Sequence, residues 1–192
     1  AQPIAGATLD DFDPLQLNRL KEIIRSNPGG EKTLLELTDE ELEFALRLIS
    51  KDGDKLIPTM TGLLLLGKSD SLGRLVPTAK ATFQVLEGTN VKVNEETSKP
   101  ILEVLELFQS YIKPWNSENE FEYDLFRIPV PEFSYAAIRE GLINAFCHRD
   151  YSMLGNVRVL IDDEGMSITN PGGFIEGVNI NNLLIVEPHG RN

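Results

Sequence analysis

The spacing of apolar positions along the chain changes several times, and each change marks an element. Leu17, Leu20, Ile23 and Ile24 share one helical face. Asp13 stands before them as a cap, with Pro14 at the first helical position, and Asn27-Pro28-Gly29-Gly30 ends the run. Thr38-Asp39-Glu40-Glu41 is a capping box, and Leu42, Leu46 and Ile49 follow at helical spacing. The turn KDGD then leads into PTMTGLLLLGK, which reads as a short buried helix ending at Gly67. Residues 1–75 are therefore expected to form a helical N-terminal subdomain.

From 76 to 192 the periods alternate. AKATFQVLEG reads as a strand, and Ser98 as the cap of a helix through Ile101, Leu105, Phe108 and Ile112. FEYDLFRIPV reads as one strand, stopped by Pro129 and Pro131. Ser134 starts a helix that runs to about His148, and NVRVLIDDEGMSITN has the pattern of a β-hairpin turning on its acidic DDEG. Val178–Asn192 is loop-like with one helical turn around NNLL. Helices and strands mixed with a hairpin predict an α+β fold with a mixed, largely antiparallel sheet.

The helix SYAAIREGLINAFCHRD carries the candidate chemistry. Ile138, Leu142, Ala145 and Phe146 form its main apolar face, and Cys147 is expected as a small core residue. Against that background Glu140, Asn144 and His148 fall at i, i+4 and i+8 as one polar stripe. The stripe is either a solvated face or one wall of a ligand cleft. Gly141, inside the helix, points to close approach of another backbone or a ligand. A carboxylate can orient or deprotonate water, and an amide oxygen one turn on can ligate Mg²⁺. The second element is Asn170-Pro171-Gly172-Gly173, where a strand ends; a bare backbone beside an amide suits a flat purine ring. Arg149 and Asp150 are expected to end the helix or to fix the rim of the pocket.

Other constellations are weaker. GLLLLGKS matches the letters of a phosphate-binding loop, but four leucines in a row belong in a core rather than around phosphates. His148 and His189 are the only histidines, too few for a histidine metal site. Cys147 and His148 are adjacent on a helix and point about 100° apart, so they form no dyad.

Composition narrows the classes. The chain has 192 residues, 41% of them hydrophobic, enough for one large domain or two small ones. Thirty acids against 18 bases give a net charge of −12, which argues against direct nucleic-acid contact. The single cysteine excludes a disulfide framework and suits a reducing cytoplasm. No apolar run is long enough for a membrane span, and the N-terminus lacks signal-peptide features. The chain reads as a piece of something longer.

EGLINAFCHRDYS followed by VRVLIDDEGMSITNPGGF resembles the recG-like divergent ATPase segment (divergent AAA-4 type) of bacterial putative transcriptional regulators. That segment is similar to the GHKL ATPases, the class of gyrase B, the 90-kDa heat-shock protein, MutL and histidine kinases. GATLDDFDP through KLIPTMTGLLLLGK resembles the region that precedes it in those regulators. The resemblance implies a GHKL-like α/β sandwich over 76–192, truncated at its C-terminus, and binding of ATP with Mg²⁺. It implies Glu140 as the catalytic group that activates water and Asn144 as the Mg²⁺ ligand. His148, Asn170, Gly172 and Gly173 would border the nucleotide. Asn170 stands where the class has an aspartate for the adenine amino group, Cys147 replaces an acid, and the lid that wraps the triphosphate is not identifiable. Weak nucleotide binding, or none by this piece alone, is therefore expected. The alternative is a non-enzymatic regulatory and oligomerisation domain with a degenerate nucleotide site. In either case the resemblance implies a cytoplasmic regulator that meets DNA through other domains, a schlafen-type domain upstream and a winged helix downstream.

Overall fold

The computed structural model describes residues 2–123 and 126–173. The expected loop over 178–192, with His189 and the turn at NNLL, lies outside the described residues. The protein is α+β. Helix α1 (Pro14–Ser26) begins where Asp13 accepts the Leu15 N–H. Helix α2 (Asp39–Ala45) begins with the reciprocal Thr38–Glu41 capping box. Such side-chain caps contribute about 1 kcal/mol each.

The helical pattern ends sooner than the spacing of Leu42, Leu46 and Ile49 predicts. Arg47 takes a left-handed conformation at φ 57°, which turns the chain out of α2. Ile49 instead opens strand β1 (Ile49–Asp52), paired antiparallel with β2 (Lys55–Pro58) across the KDGD turn. The N-terminal part is therefore helical with a small hairpin inserted. Helix α3 (Met60–Leu66) ends at Gly67 as expected, and a further helix, α4 (Ser69–Leu75), follows.

Helix α3 also settles the letters GLLLLGKS. Leu63 and Leu66 are fully buried in the apolar core. A Cβ on Gly62 would lie 2.0 Å from the Leu48 carbonyl oxygen, so only glycine lets the helix pack on that backbone. No strand runs straight into a phosphate loop here; β2 passes through the Thr59 cap directly into α3. Close by, the buried Asp11 accepts from the Thr8 N–H at 2.8 Å, the Ser71 hydroxyl at 2.7 Å and Arg74 at 2.6 Å. Burial works to raise the Asp11 pKa, but these bonds outweigh it and hold the carboxyl below its ordinary value.

The second part is built on a four-stranded sheet. Strand β3 (Ala81–Glu87) pairs antiparallel with β4 (Asn90–Thr97), a mostly polar strand whose apolar alternation is limited to Val91 and Val93. Helix α5 (Ile101–Ile112) follows; Pro100, not Ser98, occupies its cap position, because Pro100 is extended and bars one further turn. FEYDLFRIPV is not one strand. It contributes to two, β5 (Glu118–Tyr123) and β6 (Phe126–Pro131), which pair with each other in a separate ribbon. Helix α6 (Tyr135–Cys147) then leads to the hairpin of β7 (Val157–Asp162) and β8 (Gly165–Thr169).

The sheet order is β4-β3-β7-β8, with β3 and β7 parallel. Ala81, Phe83 and Val85 alternate inward on β3, and Val157, Val159 and Ile161 do so on β7. Helices α5 and α6 cover that face with Val104, Phe108, Ile112, Ile138, Leu142 and Phe146. The N-terminal part joins through Gln16, which donates to Glu103 on α5 at 3.0 Å, and Arg19, which pairs with Glu103 and Glu106. Among the described residues no helix is long and apolar enough to cross a membrane.

Gly62→Ala tests the packing of α3. The added methyl meets backbone rather than a movable side chain, so a loss of about 3 kcal/mol is expected, at the upper end of overpacking costs. Thermal unfolding followed by circular dichroism should show a midpoint lowered by roughly 6–12 °C; an unchanged midpoint contradicts the close contact.

Candidate functional site

The expected site residues come from two places: the polar stripe of α6 and the turn after β8. Helix α6 presents three faces. Ile138, Leu142, Ala145 and Phe146 are buried against the sheet. Arg139, Ile143 and Cys147 lie on a second face. Glu140, Asn144 and His148 lie on a third and are all exposed. Cys147 is exposed as well, so it is not a core residue: its position is one residue past the buried Ala145–Phe146 pair, and the helix has by then rotated it off the sheet.

Within the stripe, Asn144 Nδ2 donates to Glu140 Oε1 at 3.1 Å. This bond orients the amide and leaves Asn144 Oδ1 without a partner among the described residues. His148 caps the helix: its N–H donates to the Asn144 carbonyl at 2.9 Å, and its own carbonyl accepts from Asn170 Nδ2 at 3.3 Å. Asn170 is thus held by the end of α6, and its Oδ1 has no partner among the described residues. Gly141 lies under β8, where an added Cβ would come 3.0 Å from Ile168 Cδ1. The close approach expected at that glycine is a side chain of the sheet.

The turn and the helix end are in van der Waals contact. A Cβ on Gly172 would lie 2.9 Å from the His148 carbonyl oxygen and 3.2 Å from Asn170 Nδ2, so glycine lets this turn close on the helix. The Asp150 N–H donates to the Pro171 carbonyl at 2.9 Å and completes the junction. Gly173 has open space around its Cα. The structure therefore brings His148, Asn170 and Gly172 together directly. Glu140 lies about 12 Å farther up α6, eight residues at 1.5 Å each, with Asn144 between. The result is an open corner: two apolar clefts elsewhere on α6 are lined by neither Glu140, Asn144 nor Asn170.

Arg149 has a role that the sequence did not disclose. It is 5% exposed. Its guanidinium donates to three backbone carbonyls, those of Thr78 before β3, Asp150 after α6 and Gly155 before β7. It also stacks 4.7 Å over the Tyr151 ring. Its Nε is buried without a partner among the described residues. Burial lowers the Arg149 pKa, against the opposing influence of Tyr151 and Asp150. Tyr151 is packed beside it, with its hydroxyl 3.3 Å from the Phe146 carbonyl. Burial pushes the Tyr151 pKa up to about 12, with Arg149 opposing. The one signal in the sequence was a charge placed directly after the last buried turn of α6, which helix-end logic explains equally well.

The Tyr151 shift makes a signed prediction. The folded state prefers the neutral phenol, so this contribution to stability is complete below the unfolded pKa near 10 and is lost as pH rises towards 12. Absorbance titration of the phenolates should show one tyrosine ionising near pH 12, and Tyr151→Phe should remove that step. Retention of the step in the variant contradicts the assignment.

Comparison with other proteins bears on the fold and leaves the chemistry open. Residues 1–82 match a family model described as a domain of unknown function, DUF8451, a match that ends inside β3. No curated protein matches the chain. The crystal structure of the DIP2311 protein from Corynebacterium diphtheriae is similar, with a TM-score of 0.71 and 25% identity. The similarity covers 95% of this chain and 35% of that one, so the chain spans about a third of that protein's length.

Proposed function

We propose that the α6 corner is a divergent nucleotide-binding site of the GHKL type, in a module of a bacterial transcriptional regulator. The observation that supports this reading is the paired fixing of two amides. Asn144 is held by Glu140 through its NH₂ group, and Asn170 is held by the His148 carbonyl through its own. Among the described residues neither amide oxygen has a partner, and that oxygen is the atom each assigned role requires.

The residues fit a magnesium–nucleotide ligand. Mg²⁺ takes hard oxygen ligands and keeps several waters, so one amide oxygen together with substrate phosphates suffices. Asn144 Oδ1 would hold the ion, which when bound would neutralise phosphate charge. Glu140, one turn away, would orient a water and accept its proton. Asn170 Oδ1 would accept from the adenine amino group, with a dipole in place of the full charge of an aspartate. Gly172 and Gly173 present backbone without side chains to the base. An exposed corner with a neutral acceptor favours weak binding and slow turnover. The alternative, a regulatory and assembly module with a degenerate site, draws support from the exposed apolar ribbon of β5 and β6.

Isothermal titration calorimetry with MgATP separates these readings. Binding with a Kd in the range of about 10 µM to 1 mM is expected. Asn144→Ala should weaken it roughly tenfold and reduce its dependence on Mg²⁺. Glu140→Gln should abolish phosphate release while leaving binding near its starting value. Absence of binding heat by this chain and by longer forms containing it, or binding indifferent to Asn144→Ala, rules the proposal out.

A further inference from the structure

The buried apolar side chains fall into sets that do not mix. Every buried member of the sheet's core lies between Ala81 and Ile161, and every buried member of the two N-terminal clusters lies between Ala7 and Val76. The family match ends at the same boundary, at residue 82. Each half therefore buries a core within itself, as separately opening units of a protein do. Among the described residues of the sheet half, the half-buried Ile101 and Tyr151 are the apolar side chains that pack against an N-terminal cluster.

The seam between the halves is held at two places. At one, the connection into β3 is pinned. Arg149 donates to the Thr78 carbonyl, the Thr78 hydroxyl donates to the Tyr151 carbonyl at 2.7 Å, and the Val157 N–H donates to the Lys80 carbonyl at 3.2 Å. At the other, α1 meets α5 through polar groups. The buried Gln16 donates to Glu103 at 3.0 Å and accepts from Arg19 at 2.8 Å, and Arg19 reaches Glu106 at 3.3 Å. Between these places the packing is incomplete. A cleft of about 500 Å³ lies between Leu64 of α3 and Leu105 of α5, with Arg149 and Tyr151 of the pinned end in its wall. A second, of about 340 Å³, is lined by Glu106 and by Ile23, one turn past Arg19 on α1. Voids of that size along one contact forfeit much of the dispersion attraction that would hold it shut.

We infer that the molecule is hinged: its halves pivot at the Thr78–Arg149–Tyr151 junction and are latched shut by Gln16 and Arg19 on Glu103 and Glu106. Motion about a few pinned connecting residues is the usual form of hinge opening. Opening widens the cleft beside Leu64 and leaves both cores intact. Glu140, Asn144 and His148 stay in place, because α6 belongs wholly to the sheet half. The latch is salt-sensitive, since the Glu106 side chain that Arg19 meets is 57% exposed.

Thiol labelling tests this on the whole chain. Cys147→Ser removes the native thiol, and Leu64→Cys places one on the seam, at a position 7% exposed. Without denaturant, labelling should speed up about fivefold in Arg19→Ala, the scale of a lost ion pair. Raising salt from about 0.02 to 0.5 M should speed it similarly while Arg19 is present and leave the Arg19→Ala rate nearly unchanged. The rate should rise with urea at most about half as steeply as global unfolding, because opening exposes the seam alone. Where Leu64→Cys fails to fold, Leu105→Cys, at a half-buried position lining both clefts, carries the same expectations. A rate indifferent to Arg19→Ala or to salt overturns the inference. So does a urea dependence equal to that of global unfolding.

Discussion

The buried guanidinium of Arg149 is the interaction on which the second half of the molecule depends. It holds three chain segments at once: the approach to β3, the exit from α6 and the approach to β7. These segments carry the parallel β3–β7 pairing at the centre of the sheet. Hydrogen bonds from a charged donor contribute about 1.5–3 kcal/mol each, and their loss would leave carbonyls unpaired in a buried place. The same junction holds the turn after β8 through the Asp150–Pro171 bond. The position of Asn170 relative to α6 therefore follows from a residue that touches no proposed ligand.

Helix α6 presents three unlike faces, and among the described residues it is one of two helices covering the sheet. One face must bury Ile138, Leu142 and Phe146 to hold the sheet. The remaining circumference is free of that duty and splits into a wall of the two apolar clefts and a polar stripe. Adjacent positions on a helix differ by about 100°, so Arg139 and Glu140, or Cys147 and His148, fall on neighbouring faces.

The parts legible in the sequence were those fixed by local rules. Caps at Asp13 and Thr38, the α6 pattern, the hairpin of β7 and β8 and the α+β class all follow from neighbours within a few residues. The stripe of Glu140, Asn144 and His148 was readable for the same reason: helical spacing alone puts them on one face. What escaped was set by distant contacts. Strand β4 lies at the sheet edge and is polar from Asn94 to Thr97, so its alternation is limited to Val91 and Val93. The ribbon of β5 and β6 turns within what reads as one continuous strand. Ile49 fits a helical period, but Arg47 turns the backbone first. Cys147 has the apolar character of a core residue but lies exposed on the wall of an apolar cleft. The burial of Arg149 depends on carbonyls 71 and 6 positions away, which no local pattern encodes.

The central claim is that the helix stripe and the strand-end turn act as one nucleotide corner. Amide-resolved NMR titration with a magnesium–adenine nucleotide addresses it at the level of single residues. The account predicts shifts at the side-chain amides of Asn144 and Asn170 and the backbone of Gly172 and Gly173, with Leu105 and Ile143 in the apolar clefts unmoved. Shifts confined to those clefts, or none at saturating nucleotide, would contradict it.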